Sequence, residues 1–387
     1  MLLWAVLATP LPVPAPPPAP ARSQAPARVL AIDWLRGLAV ILMIQAHAFD
    51  AWLTPAAKTG APYWLIRHMS GLPSRMFLFL VGVSAALRFE AQLARGVDRR
   101  QMMVEPARRG LQILGLAYLF RLQEHVLAGF KGGWTMLVRV DILNAIGASL
   151  LLVAAVAAPR KGRPSVWVPL LVAALLIALG PIVGPAHFPW WLPRPLTSYI
   201  GGQRPMSWFP LFPWGAWALV GVVVGHLWIR SSRTEKGAAR VFVLSAVAGV
   251  ALVATVSLVR AVAPDLIHYP SDVVQQMGPG SFFFRLGLIG ALAGLSWLAT
   301  RRPPRGFSPL IQLGRTSLLV YWIHVDLCYG GVARYLRGQL SVPVAIAWIL
   351  LLVLLMLGVS VLKTRYWSSA KAWVAARWAP ARATRPA

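Results

Sequence analysis

The segment RVLAIDWLRGLAVILMIQAHAFD, Arg28 to Asp50, decides the fold. It lies in an apolar run, Val29 to Leu53, long enough to cross the hydrocarbon of a bilayer, which takes about 20 residues. Asp33, Arg36 and His47 nevertheless interrupt that run. At 100° per residue, Asp33 and Arg36 are neighbours one turn apart. Arg36 and His47, eleven positions apart, return to within about 20° of one face and stand about 16 Å apart along the axis. Met43 lies between them and Asp50 continues the stripe. One face therefore carries an acid–base pair near one end and an imidazole near the other. Ionisable groups inside a membrane are costly and mark function. The competing structural readings are an interfacial ion pair for Asp33 and Arg36 and a packed, hydrogen-bonded histidine for His47.

Outward from this segment the same apolar character recurs. Of 387 residues, 58% are hydrophobic and 13% charged, with a mean hydropathy of +0.63. This excludes a disordered chain and argues against a soluble globule. Further runs lie at roughly 76–87, 110–127, 142–158, 166–183, 209–229, 241–262, 282–300, 316–332 and 342–362, which predicts an all-α, polytopic membrane protein of about ten transmembrane helices. Of the 38 Lys and Arg residues, 25 fall in alternate connections and in the two terminal segments. The positive-inside rule then predicts an N-in/C-in orientation. The net charge of +27 thus reports topology and contact with anionic lipid, not nucleic-acid binding. Residues 1–28 are rich in Pro and Ala and lack the pattern of a signal peptide, so they read as a disordered arm. Residues 29–362 form the membrane domain, and 363–387 a basic cytoplasmic tail. No soluble domain or internal repeat is visible. The single cysteine, Cys328, excludes a disulfide framework. The seven histidines show no metal-ligand spacing, and no Walker A loop is present.

Other spans also carry polar groups. In GRTSLLVYWIHVDLCYG, Gly314 to Gly330, the residues Ser317, Tyr321, His324 and Cys328 fall on one narrow stripe, which faces a bundle interior as glue or as a site lining. Asp326 points elsewhere. Arg121, Glu124 and His125 are helical neighbours at the end of the third run, and Arg139, Asp141 and Asn144 begin the fourth. They fit either a mutually neutralising network or the wall of an outward polar cavity. The fifth connection is rich in Trp and Pro, up to WFPLFPWGA at 208–216, which reads as an interfacial belt or a stacking surface for sugar or lipid. Gly221 and Gly225 form a small-xxx-small pattern for close helix packing. His187, His226 and His268 receive no role.

RVLAIDWLRGLAVILM, 28–43, resembles the bacterial relatives of the heparan-alpha-glucosaminide N-acetyltransferase catalytic domain, within the wider acyltransferase-3-like group of transmembrane acyltransferases. The first span of that group opens with an Arg, an Asp and an Arg-Gly, here Arg28, Asp33, Arg36 and Gly37, and its acyltransferase-3 members place a histidine where His47 stands. Similar pieces follow in order at 77–84, 139–147, 209–216 and 313–324. The resemblance implies transfer of an acetyl or other acyl group from cytoplasmic acetyl-CoA to a hydroxyl or amine of an outward-facing sugar, with a cell-envelope glycan as the acceptor and a bacterial inner membrane as the location. In the heparan enzyme the proposed histidine lies in the segment after the first span. Here that segment offers His68, so both His47 and His68 stand open for the role.

Acyl transfer to a hydroxyl needs a base, and an imidazole suits it. In this reading His47 is the base or an acylated nucleophile. Asp33 holds Arg36, and Arg36 and Arg315 bind the phosphates of CoA. Tyr321 and His324 orient substrate or donate to the thioester oxygen. His68, Asp50, Arg121, Glu124, Arg139, Asp141 and Asn144 line the acceptor side. A transporter or lipid flippase of ten spans is the alternative in another class, and an assembly protein with purely structural polar stripes is a third. The sequence does not fix the oligomeric state.

Overall fold

The computed structural model describes residues 27–130, 133–160, 162–189, 191–201, 206–266, 272–302 and 306–378. The expected arm up to Pro26, His268 and the last part of the tail lie outside the described residues. The chain is all-helical. The helices are α1 (Ala27–Trp52), α2 (Gly60–Ser70), α3 (Pro73–Leu93), α4 (Arg99–Leu127), α5 (Ile142–Val156), α6 (Trp167–Val183) and α7 (Arg194–Ile200), followed by α8 (Leu211–Ser231), α9 (Glu235–Val262), α10 (Asp272–Met277), α11 (Pro279–Thr300), α12 (Pro309–Arg315), α13 (Ser317–Tyr329) and α14 (Val342–Trp378). Among the described residues the only β contacts are isolated bridges.

Local sequence explains where these helices begin. Pro73, Pro279 and Pro309 open α3, α11 and α12, where a missing N–H costs nothing. The Asp98 carboxylate accepts from the Arg100 N–H at the start of α4, and the Thr234 hydroxyl accepts from Gly237 at the start of α9. Asp141 and Asn144 form a reciprocal capping box on α5.

Every one of the ten apolar runs coincides with a helix, but they are not alike. Among the described residues, six segments are long and apolar enough to cross a membrane: Leu30–Trp52, Leu65–Leu93, Leu211–Ser231, Glu235–Val262, Pro279–Thr300 and Val342–Tyr366. The protein is therefore a multi-pass membrane protein. The helices α5 and α6 are apolar but shorter. The run expected at 316–332 holds the 13-residue α13, and the helix breaks at its first residue, Thr316 (φ −118°, ψ 16°), which separates α13 from the short α12 before it. Gln312, Thr316 and Ser360 share hydrogen bonds at this break, with Ser360 wholly buried, so the polar groups released there are satisfied by α14.

Two helices act as hubs. The first, α1, packs against α2, α3, α11, α12, α13 and α14; the second, α8, packs against α3, α5, α6 and α9. In α8, 72% of the most apolar window is buried, against 22% in α9, so α8 is interior and α9 presents apolar side chains to lipid. Between helices in lipid, packing relies on close van der Waals approach. Glycines supply it. A Cβ on Gly82 would stand 2.0 Å from the Ala218 carbonyl oxygen, and one on Gly221 would stand 2.1 Å from that of Phe79. The pair Gly221 and Gly225 thus serves packing of α8 on α3. In the same way a Cβ on Gly37 would stand 1.9 Å from the Leu310 carbonyl oxygen and one on Gly314 would stand 2.0 Å from that of Asp33, so these glycines let α12 lie against α1.

Candidate active site

The close approach of α12 to α1 brings Arg315 to Asp33. The Asp33 carboxylate accepts from Arg36 Nη1 at 3.0 Å and from Arg315 Nε at 3.4 Å. The second Arg36 nitrogen, Nη2, donates to Ser84 of α3 at 3.0 Å. Arg36 is therefore held from two sides. Arg315 is half-exposed, and its two terminal nitrogens make no protein hydrogen bond among the described residues. This end of the bundle pairs one fixed guanidinium with one available guanidinium, an arrangement suited to a phosphate.

At the far end of α1, the Nδ1 of His47 lies 2.8 Å from the Nε2 of His324 on α13. The rings are nearly parallel, at 5°, with centroids 5.0 Å apart. The Nδ1 of His324 lies 2.7 Å from the carbonyl oxygen of Val320. A carbonyl only accepts, so this nitrogen must carry the proton. The His324 ring is fully buried and has no carboxylate partner among the described residues, which suits the neutral form. Its Nε2 is then an acceptor, His47 must donate from Nδ1, and the lone pair of His47 is left on Nε2. That nitrogen makes no protein hydrogen bond among the described residues, and the His47 ring is half-buried. The pair thus presents an oriented base.

Tyr329 stands edge-on to His47, with centroids 5.6 Å apart, and donates to Asp50 at 2.8 Å. Tyr321 sits edge-on to His324 at 5.9 Å and packs on Phe120. Ser317 and Cys328 share its helix, where Cys328 is buried in an apolar cluster. Asp326 faces α4, where it accepts from Gln123 at 2.6 Å. His68 lies on α2, whereas the hydrogen-bond and ring contacts of His47 go to His324 and Tyr329.

The two groups from α4 and α5 meet. Arg121, 4% exposed, pairs with Glu124 at 2.7 Å and with Asp141, and Arg139 reaches Asp141 at 3.3 Å. Asn144 donates to the Tyr199 hydroxyl at 2.9 Å, and Tyr199 shares a hydrogen bond with Tyr118. Two acids and two arginines close on each other here. His125 is outside this network and packs edge-on to Phe130. Of the tryptophans read as a belt or stacking surface, Trp191 and Trp208 are exposed, but Trp214 is 6% exposed because α8 turns it inward, as it does its neighbour Trp217, which packs on Phe282 of α11.

The model of the heparan-alpha-glucosaminide N-acetyltransferase catalytic domain matches residues 28–262. The chain belongs to this family. None of the curated proteins matches it. Membership implies a membrane acetyltransferase. The matched stretch holds Asp33, Arg36, His47 and the Arg121–Asp141 network, while Arg315, Tyr321 and His324 stand beyond it. The family's region thus supplies one imidazole, and the segment after it supplies the partner that orients it.

Sequence reading missed Ser84 as the second holder of Arg36 and Tyr329 as the partner of Asp50. Ser84 had a signal, since it follows Arg36 within a polar-poor pair of helices. Tyr329 had none beyond its place one residue after the Tyr321–His324–Cys328 stripe.

Proposed function

We propose that the chain transfers an acetyl or another acyl group from acyl-CoA to a hydroxyl or amine of an extracytoplasmic sugar, in a ten-span, N-in/C-in protein of a bacterial inner membrane. The observation that carries this reading is the His47–His324 pair, whose hydrogen-bond order leaves a lone pair on a half-buried imidazole. The phosphates of CoA pair with Arg315 and Arg36 at the Asp33 end. The pantetheine arm follows α1 over the roughly 16 Å to His47.

In the reaction, His47 Nε2 takes the proton of the acceptor hydroxyl or amine as the nucleophile forms its bond to the thioester carbonyl carbon. Tyr321 donates to the oxygen that gains charge. The carbon–sulfur bond then breaks, and the thiolate of CoA takes the proton back from His47 Nε2. Asp50, oriented by Tyr329, and His68 lie on the acceptor side. The Arg121, Glu124, Arg139, Asp141 and Asn144 network forms its rigid wall.

The test is transfer of radiolabelled acetyl from acetyl-CoA to the cell-envelope glycan fraction of membranes that contain or lack this protein. Label that depends on the protein is expected. Equal label in both preparations would overturn the reading.

A further inference from the structure

Arg75 and Arg285 belong to neither cluster above. Arg75 lies in the first turn of α3 and Arg285 further into α11, both at the bundle end that holds His47. Arg75 is 2% exposed. Its Nη1 donates to the Gly71 carbonyl, and its guanidinium lies 4.5 Å over the Trp214 ring. Its Nη2 is buried with no hydrogen-bond partner among the described residues, and so is Nε of the half-buried Arg285. Arg285 Nη1 is held by the Ser281 hydroxyl at 2.5 Å. Both guanidinium groups come within 3.3 Å of the point that a Cβ on Gly71 would occupy.

Neither arginine has a carboxylate partner among the described residues. A third arginine, Arg260, which lies over Phe284, adds its positive charge to the surroundings of Arg285. Two guanidinium groups this close, one of them fully buried, repel each other, and a counter-charge between them relieves the cost. The helices add to this need. The N-terminal residues Leu72 and Gly278 give α3 and α11 no side-chain cap, so both helix ends contribute partial positive charge.

We propose that Arg75 and Arg285 form a binding site for an oxyanion, a carboxylate, a sulfate or a phosphate. The unpartnered Arg75 Nη2 and Arg285 Nε are its donors, Trp214 its floor, and Gly71 leaves the room that a side chain would fill. The site goes beyond acyl transfer and does not depend on it.

The test measures thermal unfolding of the full-length protein in phosphatidylcholine nanodiscs, at constant ionic strength, with glucuronate, inorganic sulfate or inorganic phosphate against chloride, and separately in nanodiscs containing phosphatidylglycerol. A raised midpoint is expected. Soluble oxyanions acting in phosphatidylcholine point to a soluble or glycan-borne group, whereas a rise with phosphatidylglycerol alone points to a lipid phosphate. Arg285→Gln, at a half-exposed position that tolerates change better than Arg75, should weaken the apparent affinity by about tenfold or more. No rise with any of these anions, or an equal rise in Arg285→Gln, overturns the site. Stabilisation by CoA in the same samples should survive Arg285→Gln, which separates failure of this site from failure of the transferase reading.

Discussion

At the scale of single residues, the direction of the hydrogen bonds matters more than the presence of histidines. The Val320 carbonyl fixes the proton of His324, and His324 fixes that of His47. His47→Ala removes the base, so the rate of acetyl transfer should fall by about a hundredfold or more while CoA binding is kept. His324→Ala leaves the base but frees its tautomer, and the rate should fall by roughly tenfold or more. Rates unchanged in both would remove the pair from the chemistry. At the other end, Arg315→Ala should reduce CoA-dependent thermal stabilisation to the level of about a tenfold weaker ligand, because a charge-assisted contact is lost. Arg36 and His47 were legible because helical periodicity alone aligns them on α1. The His47–His324 contact was not, since it joins positions 277 residues apart and no local pattern encodes it. Arg75 and Arg285 read as ordinary charges of outer connections, because burial is invisible to a count.

At the scale of elements, small residues decide which helices touch. Gly37 in the Arg-Gly of α1 has a clear structural reason, for its Cα faces the Leu310 backbone with no space for a methyl group. Gly37→Ala must push α12 away and with it Arg315. A loss of about 1–3 kcal/mol is expected from such overpacking, read as a lower unfolding midpoint in detergent. Gly358→Ala on α14, where nothing stands within 4 Å, should leave the midpoint unchanged or raise it. Helix positions were legible from hydropathy, because every run is a helix. The break at Thr316 coincides with the start of the 316–332 run, in the polar stretch Gly314 to Ser317, whereas the short α12 before it was not read from hydropathy and is tied to α14 by the hydrogen bonds to Ser360.

At the scale of the whole molecule, α1 links two chemically different ends, one built around Asp33 and one around His47. Topology was read from the distribution of Lys and Arg, and it makes a direct prediction. Cys328 is buried, so the protein has little background reactivity toward a membrane-impermeant thiol reagent. A cysteine placed at Gly96, between α3 and α4, should react only from the cytoplasmic side, and one placed at Thr59 only from the opposite side. Reaction of both from one side would sink the N-in assignment. The interval between the two ends has a further consequence. From Gly37 to Ala46, α1 carries no titratable side chain, and Met43, Val40 and Ile44 are packed there. The imidazole pair itself stops at a helical carbonyl, which cannot pass a proton on. In the proposed reaction, a proton lifted from the acceptor therefore leaves on the thiol of the spent donor. That proton travels inward in exchange for the acyl group that travels outward, so the proposed turnover carries no net charge across the bilayer, and its rate should be indifferent to an uncoupler that collapses the proton gradient.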